Sequence, residues 1–375
     1  MSVYKRLGVK RVVNARGRMT LLGGSVLPKE VLEAMAEANE CFVDMEELQN
    51  KAGEVIANLL GAEDALVTAG AFSALVFAAA ACMTRGDVKL MEKVPDTEGM
   101  RNEVIIQRGL RVTYDRAMTV AGARLIEVGD ESGTLPRHIE EAVNEKTAAI
   151  HFLAPGGREG TVPLEEVIQI GKRHRVPVII DAAAQVLPVE NMRKYMAMGA
   201  DLVCYGAKYF DGPNSAGILC GQKGLVDAAK LQTFVCFESR GIRAFGRGMK
   251  LDRQEIVGTV VALQRWMAMD HRARLQAQHE KIERLVAELN SLPGVKAVAA
   301  GERMGIATSA VVTLDQKLLG TTGREVAEVL KADNPSVWVG LSGEVIVIFS
   351  DTLVEGDEQR ILKSLKRVLL KLKKS

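Results

Sequence analysis

Three features of this 375-residue sequence combine residue types and spacings that chemistry can use. The run VPVIIDAAA ends in Asp181, a carboxylate at the end of an apolar stretch. Such a group is costly to bury unless a cation meets it. Twenty-seven residues on, CYGAKYFDGPNSAG sets Lys208 just after the next apolar run. Far upstream, VTAGAFSAL puts a small-residue turn between a strand-like run and an Ala-rich helix. The amides of Gly70, Ala71, Phe72 and Ser73 then stand at a helix N-terminus, where backbone donors and the dipole favour an anion. Singly, each has a plainer reading: Asp181 as a helix cap, Lys208 as a loop lysine, the turn as a helix start without a ligand. The turn is neither GxGxxG nor a P-loop.

Together, a phosphate cradle, a strand-end carboxylate and a downstream lysine are what pyridoxal phosphate requires. The amides hold the phosphate, and Asp181 keeps the pyridine nitrogen protonated. Lys208 forms the Schiff base and then serves as acid and base at the substrate α-carbon. The small residues Ala182 and Ala183 leave room for a flat ring against the strand end.

The elements that position these residues alternate. Strand-like runs at 65–70, 103–108, 123–129, 147–154, 176–181, 200–206 and 216–221 are separated by helical patterns. One is LEEVIQIGKRHR, where Leu164, Val167, Ile168 and Gly171 share a face. Strands that are apolar throughout, with helices between, predict an α/β fold with a mainly parallel seven-stranded sheet covered on both faces. Ligands in such sheets bind beyond the carboxyl ends of the strands. The expected organisation is an N-terminal segment over 1–50 packing on the site, a large cofactor-binding domain over 51–255 and a long connecting helix over 256–290. A small α+β C-terminal domain over 291–375 completes it, its basic terminal helix read as a solvated face.

Composition narrows the class. With 47% hydrophobic and 26% charged residues the chain reads as an ordinary globular protein. Lys+Arg 49 against Asp+Glu 47 leaves a net charge of +2, so no global field draws nucleic acid or an anionic membrane. Cys41, Cys82, Cys204, Cys220 and Cys236 are odd in number and lack a CxxC, against a disulfide scaffold or a zinc site. No metal site is expected. The N-terminus lacks the apolar core of a signal peptide, and a cytoplasmic location is expected. Ala65 to Met83 carries no charge over nearly the length of a membrane span, yet it reads better as strand, turn and buried helix.

Several stretches carry a resemblance: NARGRMTLLGGS, VDMEELQNKAGEVIANLLGAEDALVTAGA, LMEKVPDTEGMRNEVIIQRG, VPVIIDAAAQ, YGAKYFDGPNSAG and GRGMKLDRQEIVG. They resemble the selenocysteine-synthase-like family of fold-type-I (aspartate-aminotransferase-like) pyridoxal phosphate enzymes, within it the D-glucosaminate-6-phosphate ammonia-lyase branch. The resemblance runs continuously over roughly 8–270 and more thinly beyond. It implies Lys208 as the Schiff-base lysine, Asp181 facing the pyridine nitrogen, Arg108 near the cofactor, and Arg247 and Lys250 in an anion-binding segment. It also implies a loop at a subunit boundary shaped by Gly212 and Pro213, and a homodimer or larger homo-oligomer whose partner subunit completes the site. Selenocysteine synthase has an N-terminal region that grips transfer RNA, for which few residues are available here, so no nucleic acid partner is expected. Tyr205 replaces a small hydroxyl residue of that enzyme and is read as a cofactor or pocket residue, with core packing as the alternative.

Arg16, Arg18 and Arg158 are further candidates for substrate anions, with Arg101 and Arg243 behind them, because a guanidinium pairs with a carboxylate through two bonds. His151, near a strand end, is read as a buried histidine with satisfied hydrogen bonds rather than a ring neighbour. The expected reaction is α,β-elimination from a 2-amino-3-hydroxy acid, an amino sugar acid such as D-glucosaminate 6-phosphate, giving a 2-keto-3-deoxy acid and ammonia. The alternatives are a selenium or sulfur transferase, an aldolase or racemase, or a non-catalytic cofactor-binding protein.

Overall fold

The computed structural model describes residues 3–372. Among them, twelve strands form two sheets: β1 (Val12–Ala15), β2 (Asp64–Thr68), β3 (Glu103–Gln107), β4 (Arg124–Val128), β5 (Thr147–Leu153), β6 (Val178–Asp181), β7 (Leu202–Gly206), β8 (Gly217–Gly221), β9 (Val295–Arg303), β10 (Ile306–Leu314), β11 (Ser336–Ser342) and β12 (Val345–Phe349). The chain divides into two compact units. Leu27–Ala268 forms the larger, and the residues up to Val26 together with those from Met269 onward form the smaller.

In the larger unit the sheet order is β2-β8-β7-β6-β5-β3-β4. Strands β7, β6, β5, β3 and β4 run parallel, while β8 lies antiparallel to both of its neighbours. All seven expected strands are present. Five of them (β2, β3, β6, β7 and β8) are buried at every position, the mark of a sheet covered on both faces. One face carries Ile150, Phe152, Ile180, Val203 and Tyr205 in one apolar core. The other carries Ile179, Leu202 and Cys204 with the Ala-rich helix Gly70–Thr84 in a second.

That helix resolves the uncharged stretch. Ala65 to Met83 is β2, a turn at Gly70 and a helix buried from Ser73 to Thr84. Among the described residues no helix is long and apolar enough to cross a membrane. The helix Leu164–His174 buries Leu164, Val167, Ile168 and Gly171, the face that the sequence pattern predicts. Gly171 is needed there, because a Cβ would stand 2.8 Å from the Val176 carbonyl oxygen.

The smaller unit holds a five-stranded sheet of order β1-β11-β12-β10-β9. β1 pairs parallel with β11, and the remaining pairs are antiparallel. The first residues therefore extend the C-terminal sheet, whereas 27–50 belong to the larger unit. The basic terminal helix Asp357–Leu372 buries Ile361, Leu365 and Val368 and turns its lysines outward. The long connecting helix expected over 256–290 is two helices, Arg253–Ala268 and His271–Asn290. Asp270 caps the second by accepting from the Ala273 amide at 2.9 Å. Helical periodicity continues across that break, so the pattern alone does not reveal it.

Candidate active site

Asp181 is the last residue of β6, level with Leu153 on β5 and Cys204 on β7. The two chain segments then run on together, with the Ala182 amide donating to Cys204 O and the Gly206 amide to Ala183 O. The turn Ala207–Phe210, which carries Lys208, thereby follows β7 at the same sheet end as Asp181. Asp181 is buried, and its Oδ1 accepts from the Ala183 amide at 3.1 Å. Burial pushes its carboxyl above the ordinary value of 3.8, only partly offset by that amide. Lys208 is half buried, and desolvation lowers its ammonium below 10.5. Its Nζ lies 5.0 Å from the centre of the Tyr209 ring. A lysine made easier to deprotonate suits both covalent attachment of a carbonyl and proton transfer.

The phosphate turn follows β2. Gly70 has φ 82°, a left-handed conformation that glycine adopts without strain. The N-cap is Ala69, and no side chain caps the first amides of the helix. Thr68 Oγ donates to Gly70 O, and Ser73 Oγ donates back to Ala69 O at 2.7 Å. The small atoms at Gly70 and Ala71 matter for a second reason, since the backbone of β8 is pressed against them. A Cβ on Gly217 would lie 2.5 Å from the Ala71 nitrogen.

These residues fit pyridoxal phosphate. A buried carboxylate that accepts a hydrogen bond from a backbone amide still calls for a cation, and a protonated pyridine supplies one. An uncapped helix start at the same sheet end calls for an anion. Gly70, Ala71, Phe72, Ser73, Asp181, Ala183 and Lys208 all lie at this end of the larger unit, where the phosphate, ring nitrogen and aldehyde carbon would be held.

The remaining candidates have the following surroundings. Tyr205 sits on the sheet face opposite Asp181, because Cys204 shares the Asp181 side and side chains alternate along a strand. Its hydroxyl donates to Met192 O at 3.2 Å, so it is a core residue and not a cofactor ligand. Arg101 precedes β3 and so lies at the amino end of the strands, away from Lys208. Arg247 pairs with Glu238 and packs 6.0 Å from the centre of the Phe237 ring, while Lys250 is exposed. Arg243 pairs with Glu92. Arg16 and Arg18 belong to the smaller unit, where Arg18 Nε lies 3.6 Å from Asp351. Gly212 donates its amide to Ala207 O, closing the turn that carries Lys208.

Arg108 directly follows β3, and Arg158 Nη1 donates to Gly109 O at 2.9 Å. The structure thus brings Arg158 to the backbone next to Arg108, which is fifty residues away in sequence. His151 is 1% exposed, with neither ring nitrogen hydrogen-bonded. It is buried as expected, but its hydrogen bonds are not satisfied. It faces the same side as Asp181, since it pairs with Ile179 two residues earlier. Burial drops its pKa to about 4, so the imidazole is neutral. Sequence reasoning passed over Gln107. Its side chain accepts from the Val162 amide at 2.7 Å and donates to Val162 O at 3.1 Å.

The fold and the site together define a fold-type-I pyridoxal phosphate enzyme. The chain belongs to the SelA family, whose model, L-seryl-tRNA selenium transferase, matches residues 12–336. It is 33% identical to a 5'-C-glycyluridine monooxygenase-decarboxylase of Streptomyces sp, over 90% of this chain and 83% of that one. It is 31% identical to the D-glucosaminate-6-phosphate ammonia lyase of Salmonella typhimurium (strain 14028s / SGSC 2262), over 98% of both chains. A solved structure of a D-glucosaminate-6-phosphate ammonia-lyase superposes with TM-score 0.89 at 28% identity, covering 99% of each chain. The chain is a pyridoxal phosphate-dependent lyase of this branch.

Proposed function

We propose that this enzyme releases ammonia from a 2-amino-3-hydroxy acid by α,β-elimination, with D-glucosaminate 6-phosphate as the leading substrate. The observation that carries this reading is the end-to-end similarity to the Salmonella ammonia lyase, over 98% of both chains. Pyridoxal phosphate, once bound, supplies an electron sink for an amine attached to it. In this reading Lys208 anchors the carbonyl carbon, yields it to the substrate amine and then takes the proton from the substrate α-carbon. Its desolvation shifts the balance toward the free amine that this task needs. Asp181 holds a proton on the ring nitrogen, so that negative charge forming at the α-carbon is stabilised. The amides of residues 70–73 fix the phosphate and so the tilt of the ring. The substrate loses its β-hydroxyl as water and then takes up water at C2, leaving a 2-keto-3-deoxy acid and ammonia.

The test pairs chemistry with spectroscopy. Reconstituted protein should show the visible band of lysine-bound pyridoxal phosphate, and Lys208→Ala should lose it. Ammonia and keto acid should form in equal amounts from D-glucosaminate 6-phosphate. The 33% identity to the Streptomyces monooxygenase-decarboxylase motivates a second reading, an oxygen-consuming decarboxylation. Carbon dioxide release coupled to oxygen uptake, without ammonia from hydroxy amino acids, would replace the first reading with the second.

A further inference from the structure

Asp181 stands between two places suited to anions. Counting along the sheet, β2 with its phosphate turn lies three strands to one side of β6, and β3 lies two strands to the other. Leu153 is level with Asp181, and Ile106 is level with His151 two residues earlier. Arg108, two residues past Ile106, therefore comes at the height of Asp181. At a strand spacing near 4.8 Å the separation is about 10 Å. Arg108 is thus across Asp181 from the turn that suits the cofactor phosphate.

The loop after β5 brings Arg158 to the same place. Gln107 clamps its far end through the two bonds with Val162, and the Thr134 amide donates to Gly160 O at 2.8 Å. Thr161 Oγ closes the loop onto Arg158 O at 2.6 Å. Packing is tight enough that a Cβ on Gly109 would meet Thr161 Cγ2 at 2.7 Å. With its loop held in this way, Arg158 reaches the Gly109 carbonyl.

The local charges favour an anion. Asp115 is buried and taken by Arg111 at 2.5 Å, and Arg111 also bonds Glu127. Glu127 lies 3.9 Å from Arg108, too far for a tight pair, and both side chains are about half exposed. Asp130 is occupied by the amide and hydroxyl of Ser132. Glu159 is exposed beside Arg158, and among the described residues no carboxylate pairs with Arg158.

We propose that Arg108 and Arg158 form the seat for a phosphate ester at the far end of the substrate, separate from the seat of the cofactor phosphate. The proposal rests on the reading above that the substrate is a phosphorylated amino acid. Two guanidinium groups from loops fixed to one strand end suit a phosphate dianion, which accepts paired bonds from each.

The test uses the holoenzyme and glucitol 6-phosphate, which carries the phosphate but no amine. Arg108→Gln and Arg158→Gln should each weaken its binding, measured by calorimetry, at least tenfold. Arg108→Lys and Arg158→Lys should recover part of the loss, and unphosphorylated glucitol should not bind. In turnover, the same Gln variants should raise KM for D-glucosaminate 6-phosphate at least tenfold, with the visible cofactor band intact. Wild-type failure to bind the probe, or equal binding by all variants, overturns the seat. Binding that depends on both arginines, without ammonia from any phosphorylated amino acid, keeps the seat and removes the substrate reading. Ammonia release with KM unchanged in both Gln variants keeps the reading and removes the seat.

Discussion

Gly217 and Gly70 come from different chain segments, yet their backbones touch: a Cβ on Gly217 would sit 2.4 Å from the Gly70 carbonyl carbon. Strand β8 serves as the floor of the phosphate turn, and only a residue without a side chain lets it approach. Gly217→Ala must push the turn outward, with a stability loss of about 1–3 kcal/mol, typical of overpacking. Because the displaced amides are the ones aimed at the phosphate, the cofactor affinity should fall by tenfold or more. Titration of the apo variant with pyridoxal phosphate, followed by its visible band, checks this; affinity equal to wild type would show that the turn tolerates displacement.

Asp181→Asn separates the roles of a buried carboxylate. Its folded pKa lies above the unfolded one, so the apo protein holds that proton more tightly than the unfolded chain. Stability from this group is fully present below the unfolded value near 3.8 and is lost as pH rises through the folded value. At neutral pH the apo Asn variant should therefore match or exceed wild type in denaturant unfolding, with the difference vanishing at acid pH. Turnover by the reconstituted variant should drop by about a hundredfold or more, because the ring nitrogen loses its charged partner.

His151 predicts the opposite slope. Its folded pKa of about 4 lies below the ordinary 6.5, so the folded state resists protonation. The stability tied to this depression is complete above 6.5 and falls as pH drops toward 4, at most about 1.4 kcal/mol per pH unit. His151→Leu removes the titrating group and the two unpaired ring nitrogens together. Unfolding measured at pH 7 and pH 5 should show a smaller pH dependence in the variant than in wild type.

Tyr205→Phe tests a residue that chain position places in the pocket and the sheet places in the core. Deleting the hydroxyl leaves the Met192 carbonyl without this donor and should cost about 1 kcal/mol of stability. Cofactor affinity should not change. A tenfold weaker affinity would move Tyr205 back toward the site.

Much of the site is legible in the chain because its logic is local. Asp181 at the end of an apolar run, Lys208 after the next run and a small-residue turn before an Ala-rich helix each depend on neighbours within a few residues. The seven strands are legible for the same reason, since burial on both faces makes each run apolar throughout. Reading faces is harder. Cys204 and Tyr205 are adjacent and both buried, so composition gives no sign of which side each takes; only the register of β7 against β6 assigns them.

The sequence by itself determined the fold class and the order of turn, carboxylate and lysine along the chain, because hydrophobic period and backbone preference act over short spans. Tertiary structure alone decided that Gly217 floors the turn, that Gln107 clamps the loop of Arg158, and that Arg158 comes to rest beside Arg108. It also decided that the N-terminal strand pairs with β11. Those contacts join segments from about fifty to more than three hundred residues apart. They are set by packing and register between elements, and no local pattern encodes the partner.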